Sequence, residues 1–251
     1  MKSGSYDGFF VGWGKKFPKG LHGFLICVCV FLIGIFAGTA YSFVVTQPDP
    51  GEGAFRFDLG RQNLEGVLQA KPYPMLHVAP GEKYPDGHTI MLAGQGKRGV
   101  LEKAASLDGQ VVKLRGVLLK RGSMDMLQVA GKISAVESAS VVSTAVKSLG
   151  RYRMNGEICD GKCYAGAMRP GTGIAHKACA NLCLSGGVPP VFVSVGDVEG
   201  TSFFMLADPA GNALDDRLFN LTAIFLEAEG ELEKHGKLMV FKIDLDKVKV
   251  H

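Results

Sequence analysis

Four cysteines and a histidine fall within one short stretch of this 251-residue chain, Cys159, Cys163, His176, Cys179 and Cys183. Thiols and an imidazole gathered this closely support three chemistries: structural disulfides, soft-metal ligation and thiol–disulfide exchange. Residues 174–184 suit a helix, alanine-rich and stopped by Gly186-Gly187. On that helix His176, Cys179 and Cys183 stand at i, i+3 and i+7, and so on one face. Asp160-Gly161 suits a tight turn that brings Cys159 and Cys163 together. The expected result is a compact pocket with up to five soft ligands.

In the leading reading the four cysteines form two disulfides. Within one helix, Cys179 and Cys183 would have Cβ atoms about 5–6 Å apart, whereas a disulfide needs about 3.8 Å. The bridges should therefore join Cys159 and Cys163 to Cys179 and Cys183, with both crossed pairings open. The second reading is a metal site for zinc, copper or an iron–sulfur cluster, held by four thiolates or by three plus His176. Its C-x3-C spacings depart from the C-x2-C knuckles of zinc ribbons. The third is thiol exchange at Cys179, beside Lys177 and His176, although Cys179 lies inside the helix rather than at its start. A lone histidine in such a setting is more commonly a polar neighbour of a site than a ligand. The loop Arg169-Pro170-Gly171-Thr172-Gly173 offers backbone for an anion but lacks the Lys-Ser/Thr ending of a P-loop. With no Ser/His/Asp order and no paired carboxylates, no catalytic or cofactor-binding residue is assigned, and the chain reads as non-enzymatic.

The elements that must position these residues come from a repeat. Leu59-Gly60-Arg61 through Gly66 matches Leu149-Gly150-Arg151 through Gly156 at an offset of 90. Met91-Leu92-Ala93 matches Met205-Leu206-Ala207 at 114, as do Gly116 with Gly230 and Gly122 with Gly236. Thirty-four glycines point to many tight turns between short strands. In the first copy, strands are predicted at 64–69, 75–78, 89–93, 110–119 and 124–133, with a helical turn at 101–105. The second copy repeats them at 154–158, 191–195, 202–207, 222–233 and 237–250. Five strands with a connection between the third and fourth resemble the OB fold, a Greek-key barrel. The resemblance is one of architecture and implies two barrels, over 54–137 and 149–251, with 138–148 as linker. The rise in offset locates an insertion of 24 residues in the second copy alone, between its first two strands. All four of these cysteines lie in or beside it, over about 159–187. The predicted class is mainly β: one N-terminal membrane helix, then two OB-like barrels in tandem, the second with a Cys/His-rich helical insertion.

From Gly23 to Gln47 there is no charged residue, and about 20 apolar residues span a bilayer. A helix over 21–45 is expected to anchor the chain in the plasma (inner) membrane. Lys15, Lys16 and Lys19 precede it, so residues 1–20 should be cytoplasmic and the bulk extracytoplasmic, periplasmic in a bacterium. A cleaved signal peptide ending near Ala40 is the rival, but its apolar run would be unusually long. Cys27 and Cys29 read as apolar helix residues, and 46–53 as a linker. Of the net charge of +4, the first 45 residues carry +3 and the remaining 206 only +1. A near-neutral domain disfavours nucleic acid as a partner. The expected partners are the bilayer and other subunits of a membrane complex, respiratory or metal-handling, with the chain as an accessory or assembly subunit.

Overall fold

The computed structural model describes residues 20–46, 51–137 and 144–251. Residues 1–19, 47–50 of the 46–53 linker and 138–143 lie outside them. The chain divides into two units, Met1–Pro48 and Asp49–His251, which are taken separately. The first holds helix α1, Leu21–Thr46, whose 26 residues include none that is buried. At 1.5 Å per residue it is roughly 39 Å long, and it is the one helix among the described residues long and apolar enough to cross a membrane.

The second unit contains two closed five-stranded barrels. The first is built from β1 (Gln62–Gln69), β2 (Met75–Val78), β3 (His88–Ala93), β4 (Val111–Arg121) and β5 (Met124–Val129). Its neighbours run β1-β2-β3-β5-β4 and back to β1, antiparallel except for β3 with β5. A short helix α2, Leu101–Ala104, lies between β3 and β4. The second barrel repeats this order with β6 (Val146–Asp160), β7 (Pro190–Val198), β8 (Thr201–Ala207), β9 (Phe225–His235) and β10 (Leu238–Ile243), the parallel pair now being β8 with β10. This is the expected OB-like order. The offset of 114 is also structural: Gly116 faces Val129 and Gly230 faces Ile243 in the two β-hairpins. A Cβ at either glycine would overlap a carbonyl of the neighbouring strand, Gln128 or Lys242. The strand can coil this tightly only without a side chain there.

The two boundaries furthest from expectation lie in the second barrel. Strand β6 begins at Val146, within the stretch read as linker, and pairs with β9 from its first residue. Those first residues are exposed, Val146 included, so they give no alternation of buried and solvent-facing positions to read. Strand β10 ends at Ile243 because Asp244 caps a 3-10 turn, Leu245–Lys247, with its carboxylate accepting from Asp246 N–H.

Period-2 alternation fills both barrels. Leu68, Leu76, Ile90, Leu92 and Leu118 fill the first; Ile158, Phe192, Phe204, Leu226 and Phe241 fill the second. The alternate residues form a third core between the barrels, with Met75, Met91, Met126 and Leu119 meeting Val191, Met205, Leu238 and Val240. Methionine's flexible thioether suits such an irregular seam.

A polar chain also crosses that seam. Thr89 Oγ1 donates to His77 Nδ1 at 3.3 Å, and His77 Nε2 donates to Gln69 Oε1 at 2.8 Å. Gln69 Nε2 donates in turn to His235 Nδ1 at 3.1 Å, and His235 Nε2 to Glu233 Oε2 at 2.9 Å. An amide nitrogen only donates and an amide oxygen only accepts, so the chain is satisfied with both imidazoles neutral. Burial, and then the neighbouring His235, push His77 down to about 4. A folded pKa below the unfolded value near 6.5 gives stability that is complete above pH 6.5 and is lost as pH falls toward 4. The loss attributable to His77 should reach about 3 kcal/mol by pH 4. Unfolding of the wild type and His77→Gln compared at pH 7 and pH 4.5 checks this; equal losses in both proteins would sink it.

Candidate metal centre

The insertion leaves the end of β6 and returns at β7. Asp160, the last residue of β6, is fully buried, and its Oδ1 accepts the Cys163 N–H at 2.8 Å. This starts a single wide helical turn, Cys163–Ala167, broken at Gly166 by a φ of 122°. A glycine-rich loop follows, then a 3-10 turn at Ile174–His176 and helix α3, Lys177–Ser185. The helix ends where Gly186 N and Gly187 N donate back to Leu182 O and Leu184 O. The expected helix over 174–184 is thus tight in its first turn and α-helical beyond.

Three sulfurs converge. Cys163, Cys179 and Cys183 bring their Sγ atoms within 4.8 Å of one another, with Cys163 and Cys183 at 3.9 Å. Cys163 also belongs to a second group with Asp160 and His176, again within 4.8 Å. In that group His176 Nε2 lies 3.1 Å from Asp160 Oδ2, both side chains being buried.

Cys159 does not join them. Adjacent strand residues point to opposite faces, so with Asp160 aimed at the insertion, Cys159 faces the seam between barrels, among its methionines and Tyr164. Burial, and then Glu157, push its thiol well above the ordinary range. The turn expected to pair Cys159 with Cys163 separates them instead. All six cysteines are free, and the two expected bridges are not seen. With Cys159 turned away, at most one bridge is open to the remaining three.

The cluster has a further member from the other barrel. The loop after β3 closes through Gly94 N donating to Arg98 O at 2.7 Å. It carries Lys97, whose Nζ donates to Cys179 Sγ at 2.7 Å and lies 3.9 Å from Cys183 Sγ. Lys162, buried within the insertion, reaches back and donates to Gly94 O and Gly96 O, both at 2.7 Å. Gly99 N donates to Gly186 O at 2.7 Å, so the two segments meet backbone to backbone. A Cβ on Gly186 would lie deep inside the Lys97 carbonyl. Gly186→Ala should cost about 2–3 kcal/mol and lower Tm by about 5–10 °C. A melting curve matching the wild type would contradict that contact.

Electrostatics distinguish the sulfurs. Accepting the Cys163 hydrogen bond lowers Cys183, with Lys97 helping. Cys163 is pushed up by the same hydrogen bond, then by burial and by Asp160.

Sequence reasoning missed Lys97 and Asp160. Asp160 was legible only as a turn residue, and nothing in a Gly/Lys/Arg loop near position 97 points to cysteines more than eighty positions away. The Arg169–Gly173 loop is bound to its own chain: Arg169 meets Glu52 at 2.6 Å and Gly53 O at 3.2 Å, and Gly173 N donates to Glu157 at 2.9 Å. Comparison with family models, curated proteins and solved structures gave no match to this chain.

Proposed function

We propose that this is a membrane-anchored metal-handling protein whose centre is the thiol group Cys163, Cys179 and Cys183, with Asp160 and His176 beside it. The observation that carries this reading is the convergence of three unbridged sulfurs inside one folded insertion. Metal–sulfur bonds of about 2.3 Å place tetrahedral sulfurs roughly 3.8 Å apart and trigonal ones roughly 4.0 Å apart. The 3.9 Å separation of Cys163 and Cys183 fits either. Helix α1 is the bilayer anchor, and the lysines before it favour a cytoplasmic N-terminus with the barrels outside the cytoplasm, periplasmic in a bacterium. There the protein serves a membrane complex as an accessory subunit that holds metal rather than transforming a substrate.

The test is metal analysis with thiol counting on the full chain in detergent, purified under reducing conditions. The expected result is one metal ion per chain, with Cys163, Cys179 and Cys183 protected from alkylation until a chelator is added. A metal-free chain that alkylates fully without chelator would remove the reading. A Cys163–Cys183 bridge cycling at a mild potential would replace it with thiol exchange.

A further inference from the structure

The metal that the centre takes can be narrowed, on the reading that it takes one at all. We infer that the site is three-coordinate and built for a monovalent soft ion, Cu(I), held by Cys163, Cys179 and Cys183 and covered by Lys97 of the first barrel.

Coordination number carries the argument. Zinc in protein sites without catalysis is almost always bound by four ligands, whereas thiolates with a preference for soft ions select Cu(I) at lower coordination. Three sulfurs are available here. The nearest other donors are already engaged: Asp160 accepts Cys163 N–H through one oxygen and faces His176 Nε2 through the other. To add Asp160 Oδ2 or His176 Nε2 as a fourth ligand, that buried pair would have to come apart. Cys159, the remaining thiol of the segment, points into the seam between barrels.

Solvent is also a poor source of a fourth ligand. Cys163 and Cys183 are buried, and only Cys179 is partly exposed. At Cys179 stands the Lys97 ammonium, donating to both its sulfur and its carbonyl oxygen. An ammonium has no lone pair to offer a metal, and it holds the place beside the one sulfur that water reaches. Three thiolates and Asp160 against the Lys97 and Lys162 ammoniums leave an excess of two negative charges. Zn(II) would cancel that excess and Cu(I) would halve it, so charge does not favour Cu(I) and coordination number carries the choice. Lys97 therefore acts behind the ligands: its hydrogen bond steadies the Cys179 thiolate and shields the bound ion from competitors.

The experiment uses the full chain in detergent, reduced and anaerobic, loaded in parallel with Cu(I) supplied as its acetonitrile complex and with Zn(II). X-ray absorption at each metal edge reads the ligands. The inference expects one Cu(I) per chain with three sulfur neighbours and no nitrogen or oxygen, unchanged in His176→Gln. It also expects Lys97→Leu, which removes the ammonium without adding a donor, to keep that spectrum while losing Cu(I) to a competing chelator about tenfold more readily. A Cu(I) spectrum with a nitrogen or oxygen neighbour would overturn three-coordination. A chain that takes Zn(II) in four-coordinate form and refuses Cu(I) overturns the choice of ion but leaves the metal reading standing. Failure to bind either ion removes both. If Lys97→Leu holds Cu(I) as tightly as the wild type, the role given to Lys97 is wrong.

Discussion

Cys163→Ser should lower metal affinity by about two to three orders of magnitude, while Cys159→Ala leaves stoichiometry and affinity unchanged. The contrast separates two buried thiols four positions apart on one chain. Apparent binding energies at structural zinc sites, about 10–16 kcal/mol, divide into roughly 3–4 kcal/mol for each thiolate, and the affinity change follows from that share. Cys163 has the most to lose, because it belongs both to the sulfur group and to the Asp160–His176 group. Cys159 packs among methionines of the seam, and its truncation costs only packing, about 1 kcal/mol. Titration against a chromophoric chelator measures both variants. Equal losses in the two would place the metal elsewhere.

Asp160→Ala should unfold the insertion more readily than any single ligand change. Its carboxylate answers two buried donors, the Cys163 N–H at 2.8 Å and His176 Nε2 at 3.1 Å. Each donor left unsatisfied costs about 1–3 kcal/mol, and the vacated space adds to this. A total of about 3–5 kcal/mol corresponds to roughly 10 °C or more in Tm for a unit of this size. Asp160→Asn keeps one acceptor oxygen and should recover about half of the loss. If Asp160→Ala melts within about 2 °C of the wild type at pH 7, the carboxylate does not organise the insertion.

Much of the architecture was legible because it is written in periods. The apolar run of α1 fills a helix on every face, and the offset of 114 reappears as register in both hairpins. The insertion was locatable because its length breaks that offset. The site was legible only in part. Cys163, Cys179 and Cys183 were named from their spacing, but the exit of Cys159 follows from strand alternation through Asp160, which a turn assigned at Asp160-Gly161 concealed. Lys97 had no local signature. It reaches the sulfurs through a tertiary contact between glycine backbones, Gly99 on Gly186, and such contacts leave no pattern along a chain. Val146–Ser148 escaped for the opposite reason: a strand exposed at every position looks like any linker.

The backbone contact between the first barrel's loop and the end of α3 bears on whether the chain can be divided. The two barrels carry the same strand order. The insertion is present in one copy and is completed by a lysine and a glycine of its sibling. A solitary barrel with the same insertion would leave Gly186 and Gly187 without their neighbour and Cys179 uncovered. Residues 144–251 expressed alone should accordingly bind metal less tightly than the whole chain, and equal binding would refute the dependence. The thiol cluster therefore belongs to the pair of barrels together and not to the one barrel that carries the insertion.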